Sequence, residues 1–143
     1  MTTINGLIAP SLMYKIRQGA ALNPPEDISL TPNFDYNNGL VTLNLIIQSS
    51  TSLPIINLDI LRSDDSSNFT TWERILQLDN IDRSTEINKV ILKDYTVKSG
   101  FDYKYAFRQR VEQANAISYS TKKECEEKIA VDFEDMFLSD GNK

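Results

Sequence analysis

The side chains that could carry catalysis are few, and histidine is missing altogether. Without an imidazole the chain cannot build a nucleophile–histidine triad or a histidine-ligated metal site. Two carboxylate pairs, Asp64-Asp65 and Glu126-Glu127, could serve acid–base chemistry only if burial separated the two pKa values of each pair. Both pairs lie in polar stretches, so we interpret them as solvated surface. We predict no catalytic residues and no enzyme activity.

Metal, thiol and phosphate sites find little support in the sequence. Asp59, Asp64 and Asp65 could offer oxygen ligands to calcium, but the spacing and the bend glycine of an EF-hand are missing. Cys125 is the only cysteine, which excludes an intrachain disulfide, and its charged neighbours predict a passive, exposed thiol. The five glycines are scattered singly, so no phosphate-binding loop is indicated. We therefore predict no cofactor and no bound metal.

The charge distribution restricts the class of partner. The formal net charge is −5, and many of the acidic residues follow residue 123, which leaves the preceding body close to neutral. No basic stripe is visible, which argues against nucleic acid as the partner. No apolar run approaches the ~20 residues that cross a bilayer, and the N-terminus lacks a signal-peptide pattern. We expect synthesis and retention in cytoplasm, with no membrane insertion.

From residue 27 onward, short β-rich runs alternate with turn residues at intervals of about ten, a pattern typical of an all-β sandwich or barrel. About seven strands are predicted, which is the number expected of a sandwich of this size. They cover residues 28–31, 41–48, 55–62, 72–78, 86–92, 103–111 and 117–121.

Alternation within these runs predicts which side chains face the core. In residues 103–111 the aromatic side chains share one face, and Arg108 and Arg110 share the other, which should be solvated. In residues 55–62, Ile56, Leu58 and Ile60 are predicted to point inward, and Asn57 and Asp59 outward. The charged side chains of both strands are therefore expected at the surface.

Both ends of the chain have a different composition. The predicted organisation is an N-terminal arm (1–26), a β-sandwich (27–121) and a C-terminal acidic extension or start of a following module (122–143). Glycine and proline interrupt the arm, and residues 11–18 could form two helical turns or a strand. The extension is predicted to be helical or irregular, although Ile129, Val131 and Phe133 alternate like a strand.

One stretch carries a resemblance to a known family. Residues 97–107, VKSGFDYKYAF, resemble the E–F corner and F strand of fibronectin type III domains. The resemblance implies a tyrosine corner, in which the Tyr103 ring packs against Val97 and its hydroxyl bonds to backbone upstream, while Gly100 permits the bend. It also implies an antiparallel sandwich of the fibronectin type III or immunoglobulin-like kind over residues 27–121. The second predicted strand departs from the family, because it has no core tryptophan.

The aromatic residues have two interpretations. Trp72, Tyr95 and Tyr103 are readily explained as parts of a packed core. The other interpretation is an exposed binding platform, for which Trp72 or Tyr95 is the better candidate.

The chain ends are similar to a second group of proteins. The chain resembles structural proteins of tailed bacteriophages in three features. These are a composition rich in Asn and Ile, an N-terminal arm interrupted by proline, and the motif FEDMFLSDG (133–141). The resemblance implies a non-enzymatic structural or connector protein in the tail region of a virion, synthesised in host cytoplasm. Its partners would be other virion structural proteins, in a symmetric assembly with several copies of this chain. The alternative is an adhesion module that binds carbohydrate or a cell-surface protein.

Apolar residues near the two ends are the predicted interface, because the sandwich core leaves little room for them. The alternative is that they pack back on their own sandwich. These residues are Leu12, Met13, Tyr14, Ile16, Phe133, Met136 and Phe137.

Overall fold

A computed structural model describes residues 1–8, 14–15, 23–113 and 116–133. The regular structure of these residues is almost entirely β, and it includes a short 3₁₀ helix at Asp65–Ser67. The described residues contain no helix that is long and apolar enough to span a membrane. The strands are Thr2–Ile8 (β1), Tyr14–Lys15 (β2), Ile28–Asp35 (β3), Leu40–Ile47 (β4), Ile55–Asp64 (β5), Glu73–Asp82 (β6), Asn88–Asp94 (β7), Phe101–Gln113 (β8), Ala116–Tyr119 (β9), Lys123–Glu124 (β10) and Ile129–Val131 (β11).

The strands form two sheets. The four-stranded sheet has the order β1-β7-β4-β3, and the seven-stranded sheet has the order β10-β8-β5-β6-β2, with β9 and β11 also paired to β8. Strands β1 and β7 are parallel, and the other described pairings are antiparallel. The prediction of an all-β antiparallel sandwich is therefore confirmed.

The core lies between the sheets and follows the predicted period of two. On β4, Val41, Leu43, Leu45 and Ile47 are all buried, and the residues between them are partly exposed. The inward residues of β5 and β8 complete one continuous cluster with them. Alternation alone was sufficient to assign these side chains, because a pleated strand turns successive residues to opposite faces.

Strand ends were predicted less well. The first predicted strand ends before Pro32, but β3 continues through it to Asp35. Proline is tolerated there because β3 lies at a sheet edge, where an outward-facing nitrogen has no hydrogen bond to donate to a neighbouring strand. The predicted turn at residues 80–83 was also wrong, because β6 extends to Asp82. Asn80 accommodates an irregularity with a positive φ of 55°.

The sheets extend beyond the predicted 27–121 sandwich at both ends. Residues 2–8 of the predicted arm form β1, which pairs with β7 over its whole length. Strands β9, β10 and β11 follow one another along the same edge of β8 and together act as one interrupted strand. After residue 121 the prediction of helical or irregular structure is wrong for Lys123–Glu124 and Ile129–Val131, which are short strands, and the other described residues up to 133 are irregular. The strand-like alternation of Ile129 and Val131 is confirmed.

Candidate functional site

The bend between β7 and β8 has the geometry of a tyrosine corner. Tyr103 is buried, and its hydroxyl accepts a hydrogen bond from the backbone N–H of Lys98 at 2.8 Å. Val97 is buried in the same core cluster. Gly100 has a φ of 93°, which favours glycine, and its N–H donates to the carbonyl of Val131 at 2.8 Å. Burial raises the pKa of Tyr103, so the hydroxyl stays protonated at neutral pH.

A polar network lies beside this corner, inside the sandwich. The Asp94 carboxylate accepts hydrogen bonds from Arg62 Nη1 and the Tyr105 hydroxyl, both at 2.8 Å, and from the N–H of Thr96 at 2.9 Å. Burial, together with the Asp94 charge, raises the pKa of Tyr105 well above its usual value. Burial is the largest single influence and lowers the pKa of Arg62, but the charge and hydrogen bond of Asp94, together with Tyr105 and Tyr103, outweigh it, and the net shift is upward. These shifts keep both groups protonated at neutral pH, so the network acts as a structural brace.

The outer face of the seven-stranded sheet carries a second ionic cluster, which corrects the sequence interpretation. Asp59, Arg108 and Arg110 were expected to be solvated, yet they are only 0%, 4% and 2% exposed. The Asp59 carboxylate accepts from Arg108 Nε at 3.0 Å and from Arg110 Nη1. Arg110 also pairs with Asp79 and Glu112, whose side chains are both 51% exposed. The charges neutralise one another across neighbouring strands, which allows them to be buried.

The three acidic residues that could have offered ligands to calcium, Asp59, Asp64 and Asp65, are not gathered into a site. Asp59 faces the two guanidinium groups just described. Asp64 lies at the other end of β5, where its Oδ1 accepts from the N–H of Ser66 at 2.9 Å and caps the 3₁₀ helix that begins at Asp65. Among the residues that the structure describes, no group of three or more histidine, cysteine or acidic residues could hold a metal ion.

Of the two platform candidates, only Tyr95 is exposed. Trp72 is 7% exposed and packs with Leu61 and Ala106 in a small cluster separate from the main core. The Lys122 ammonium lies 5.1 Å from the centre of the Trp72 ring, a cation–π distance. Its ring is therefore covered, whereas Tyr95 is 52% exposed.

The predicted interface residues divide between described and undescribed parts of the chain. Phe133 packs against its own sandwich, because its ring centroid lies 6.3 Å from that of Phe34 and its N–H donates to Ser99 Oγ at 3.1 Å. The backbone of Tyr14 pairs with Arg74 of β6. The remaining candidates lie outside the described residues: Leu12, Met13, Ile16, Met136 and Phe137.

Cys125 is half-buried, contrary to the prediction of an exposed thiol. Its Sγ lies 3.3 Å from the carbonyl oxygen of Leu30, in the gap between β10 and β3. Burial, more than the nearby charge of Glu124, raises the pKa of the thiol to about 11. The thiol is therefore protonated and weakly reactive at neutral pH. The neighbouring Glu126 and Glu127 are exposed, as expected.

A surface that the sequence interpretation missed is the outer face of the four-stranded sheet. The strand registers align its side chains in three rows of four, and none of the twelve is acidic although the chain has 20 acidic residues. We call this surface the acid-free face. Its rows are Leu7-Lys93-Thr42-Asn33, Asn5-Ile91-Asn44-Thr31 and Thr3-Lys89-Ile46-Ser29.

The sequence contained only part of the signal for this face. Alternation along residues 41–48 places Asn44 away from the core, but the rows depend on the pairing of β4 with β3 and β7. Pairing between strands separated by tens of residues is not encoded in any local pattern.

No family model, no curated protein and no solved structure matches this chain.

Proposed function

We propose that this chain is a non-enzymatic assembly module that binds other proteins through the acid-free face. The observation that carries the proposal is the absence of carboxylates from twelve aligned positions in an acidic chain. Burying an unpaired carboxylate in an interface is costly, and the centres of interfaces are depleted in Asp and Glu. Short hydroxyl and amide side chains, by contrast, find hydrogen-bond partners across a contact at little cost in side-chain entropy.

The dimensions of the face favour a connector over an isolated binder. Four strands spaced by about 4.8 Å, and rows covering five residues at about 3.3 Å each, give a patch of roughly 300 Å². A standard interface uses about 800 Å² from each partner. The face is therefore one contact among several, which suits a subunit held in place at many points within an assembly.

The finer fold assignment belongs to the same proposal. Strand β4 lies beside β7, and β5 lies beside β8, which in turn pairs with β9. This adjacency matches strands B and E in one sheet and C, F and G in the other sheet of immunoglobulin-like sandwiches. With the bend at Tyr103, it supports a fibronectin type III-like module, and the similarity of the chain ends to phage structural proteins suggests a tail-associated place in a virion.

A charge placed at the middle of the face tests the proposal. Asn44→Glu introduces a carboxylate into the central row. Gln77→Glu makes a similar change at an exposed site of β6, in the other sheet. Virus particles assembled with the wild-type chain or with the Gln77→Glu variant should contain that chain after purification. Particles assembled with the Asn44→Glu variant should lack it. Absence of the wild-type chain from purified particles would refute the virion role.

Deletion of either end is a poorer test than substitution. Removing residues 1–24 deletes β1, and removing residues 124–143 deletes β11. Loss of assembly after such a cut could result from damage to the sheets. Circular dichroism of both substituted variants should match the wild type, which separates loss of contact from loss of fold.

The exposure of Tyr95 supports adhesion as a second candidate function. Aromatic rings that are open on one face can stack on sugars or on partner side chains. A glycan array probed with the wild-type chain and with Tyr95→Ala tests this candidate. Binding that disappears with Tyr95→Ala and persists with Asn44→Glu would favour adhesion over assembly.

A further inference from the structure

The edges of a sheet expose unpaired backbone groups, and most edges of this sandwich are blocked. Strands β9, β10 and β11 cover the outer edge of β8. On β3 the middle of the edge is occupied by Pro32, whose nitrogen faces outward and cannot donate. On β6 the bulged Asn80 lies between Asp79 and Asp82, which interrupts and charges the edge. Proline, bulges and charges are the devices by which natural sheets prevent edge pairing.

Strand β1 has none of these devices. Its sequence, TTINGLI, contains no charged residue and no proline, and its register with β7 is unbroken from Thr2 to Ile8. In the part of the chain that the structure describes, no strand pairs along its outer edge. A long, regular and uncharged edge of this kind is a template for another strand.

The hydrogen bonds of β1 show which residues face outward. The N–H of Thr2 donates to the carbonyl of Ile87 at 3.1 Å. In a parallel pair, the residue that donates to its neighbour also accepts from it, and alternate residues point the other way. Thr3, Asn5 and Leu7 therefore direct their N–H and C=O groups away from β7.

We propose that a second copy of this chain pairs antiparallel along β1, with a two-fold axis through Asn5. Asn5 would face Asn5 of the second copy, and Thr3 would face Leu7 of the second copy, so that three outward residues in each chain form six backbone hydrogen bonds. The inference rests on the proposed assembly function and names the partner.

Three observations favour a second copy over an unrelated strand. A two-fold contact places each group opposite its counterpart, so like charges there would repel, and the three outward residues Thr3, Asn5 and Leu7 carry none. The nearest charges, the N-terminal ammonium and Glu86, pair with each other beside Thr2. Leu7, which is 65% exposed, would be covered by the methyl group of Thr3 of the second copy. The pairing would also join two acid-free faces into one continuous surface across eight strands.

Disulfide trapping tests the register. In a Cys125→Ser background, Asn5→Cys places two thiols opposite each other, because hydrogen-bonded antiparallel pairs have Cα atoms about 5.5 Å apart, within disulfide range. Thr3→Cys is the matched control, because two Thr3 positions would be offset by about 13 Å along the strands. Mild oxidation should link Asn5→Cys into a dimer and leave Thr3→Cys monomeric. Equal linkage of the two variants would overturn the inference.

Sedimentation of the full chain tests the contact without cross-linking. Asn5→Lys places two like charges at the axis and should raise the dimer dissociation constant at least ten-fold. Gln77→Lys introduces the same charge at an exposed site of β6, in the other sheet, and should leave the constant unchanged. Both positions are exposed, so both variants should retain the wild-type fold by circular dichroism.

The outcomes separate this inference from the proposed function. If the wild-type chain is monomeric at every concentration yet is found in particles, the second-copy pairing is wrong and the assembly function stands. A dimer that Gln77→Lys weakens and Asn5→Lys does not would also reject the β1 contact. If the Asn44→Glu variant is absent from particles and the Asn5→Cys variant still forms a linked dimer, the results support both the second-copy pairing and the assembly function.

Discussion

Replacement of Asp59 by asparagine tests whether the ionic cluster on the outer face of the seven-stranded sheet is truly buried. Asp59 accepts from Arg108 Nε and Arg110 Nη1, and all three residues are under 5% exposed. Asparagine keeps the size of the side chain but removes the charge and turns an amide NH₂ group toward a guanidinium. The buried guanidinium groups of Arg108 and Arg110 would then have no buried carboxylate to neutralise them.

The expected loss of stability is large. Removing one member of a buried ion pair costs about 3–5 kcal/mol, because the remaining charge stays desolvated without compensation. A chain of this length should lose roughly 3–5 °C in melting temperature per kcal/mol, so the midpoint should fall by about 10–20 °C. Asp79→Asn is the control, because Asp79 also pairs with Arg110 but is half-exposed. Its loss should cost less than about 1 kcal/mol.

Urea unfolding followed by the fluorescence of Trp72, the only tryptophan, gives both free energies. The m-value should not change if only the folded state is affected. A triple variant, Asp59→Leu with Arg108→Met and Arg110→Met, should recover much of the loss, because an apolar replacement of a buried ionic triad leaves no uncompensated charge. An Asp59→Asn variant within about 1 kcal/mol of the wild type would refute the reasoning and restore the interpretation of a solvated face.

Four further predictions concern the corner and the thiol. Tyr103→Phe removes the acceptor for the N–H of Lys98 and should reduce the free energy of unfolding by about 1 kcal/mol in urea. Gly100→Ala meets no steric clash but forces alanine to a φ of 93°, so its melting temperature should fall by an amount equivalent to about 1 kcal/mol, and an unchanged midpoint would contradict that backbone assignment. With a pKa of about 11, Cys125 should react with iodoacetamide at pH 8 roughly twenty-fold more slowly than a free thiol, because a thiolate fraction about 200-fold lower is offset about ten-fold by higher nucleophilicity. Because that folded-state pKa is raised, the stability it represents is present below about pH 8.5 and is lost as the pH rises toward 11, a dependence that Cys125→Ser should remove.

The fold class and the core could be predicted from the sequence because both depend on local alternation. Val41 and Leu43 needed only their own strand to reveal which way they face, and all seven predicted strands correspond to strands β3–β9. The prediction for Tyr103 also used a short, local pattern, and its hydroxyl lies against the backbone upstream. Local patterns succeed where the neighbours along the chain are also the neighbours in space.

The burial of Asp59 could not be predicted in this way. Its partner Arg108 lies 49 residues away, on an adjacent strand. Alternation showed correctly that both side chains point away from the core, but burial depends on whether the opposing strand supplies the opposite charge. The same limitation hid β1, because its partner β7 begins 86 residues later and TTINGLI alone gives no sign of a neighbour.

The two outer faces of the sandwich differ in how many acidic side chains they carry, and the difference indicates how copies would approach each other. At a net charge of −5, two copies repel at distances within the Debye length of about 8–10 Å. The outer face of the seven-stranded sheet carries its acids at the rim of the cluster, where Asp79 and Glu112 remain half-exposed. Approach through the acid-free face keeps those carboxylates on the other sheet. Repulsion among copies is therefore weaker across the acid-free face than across the outer face of the seven-stranded sheet.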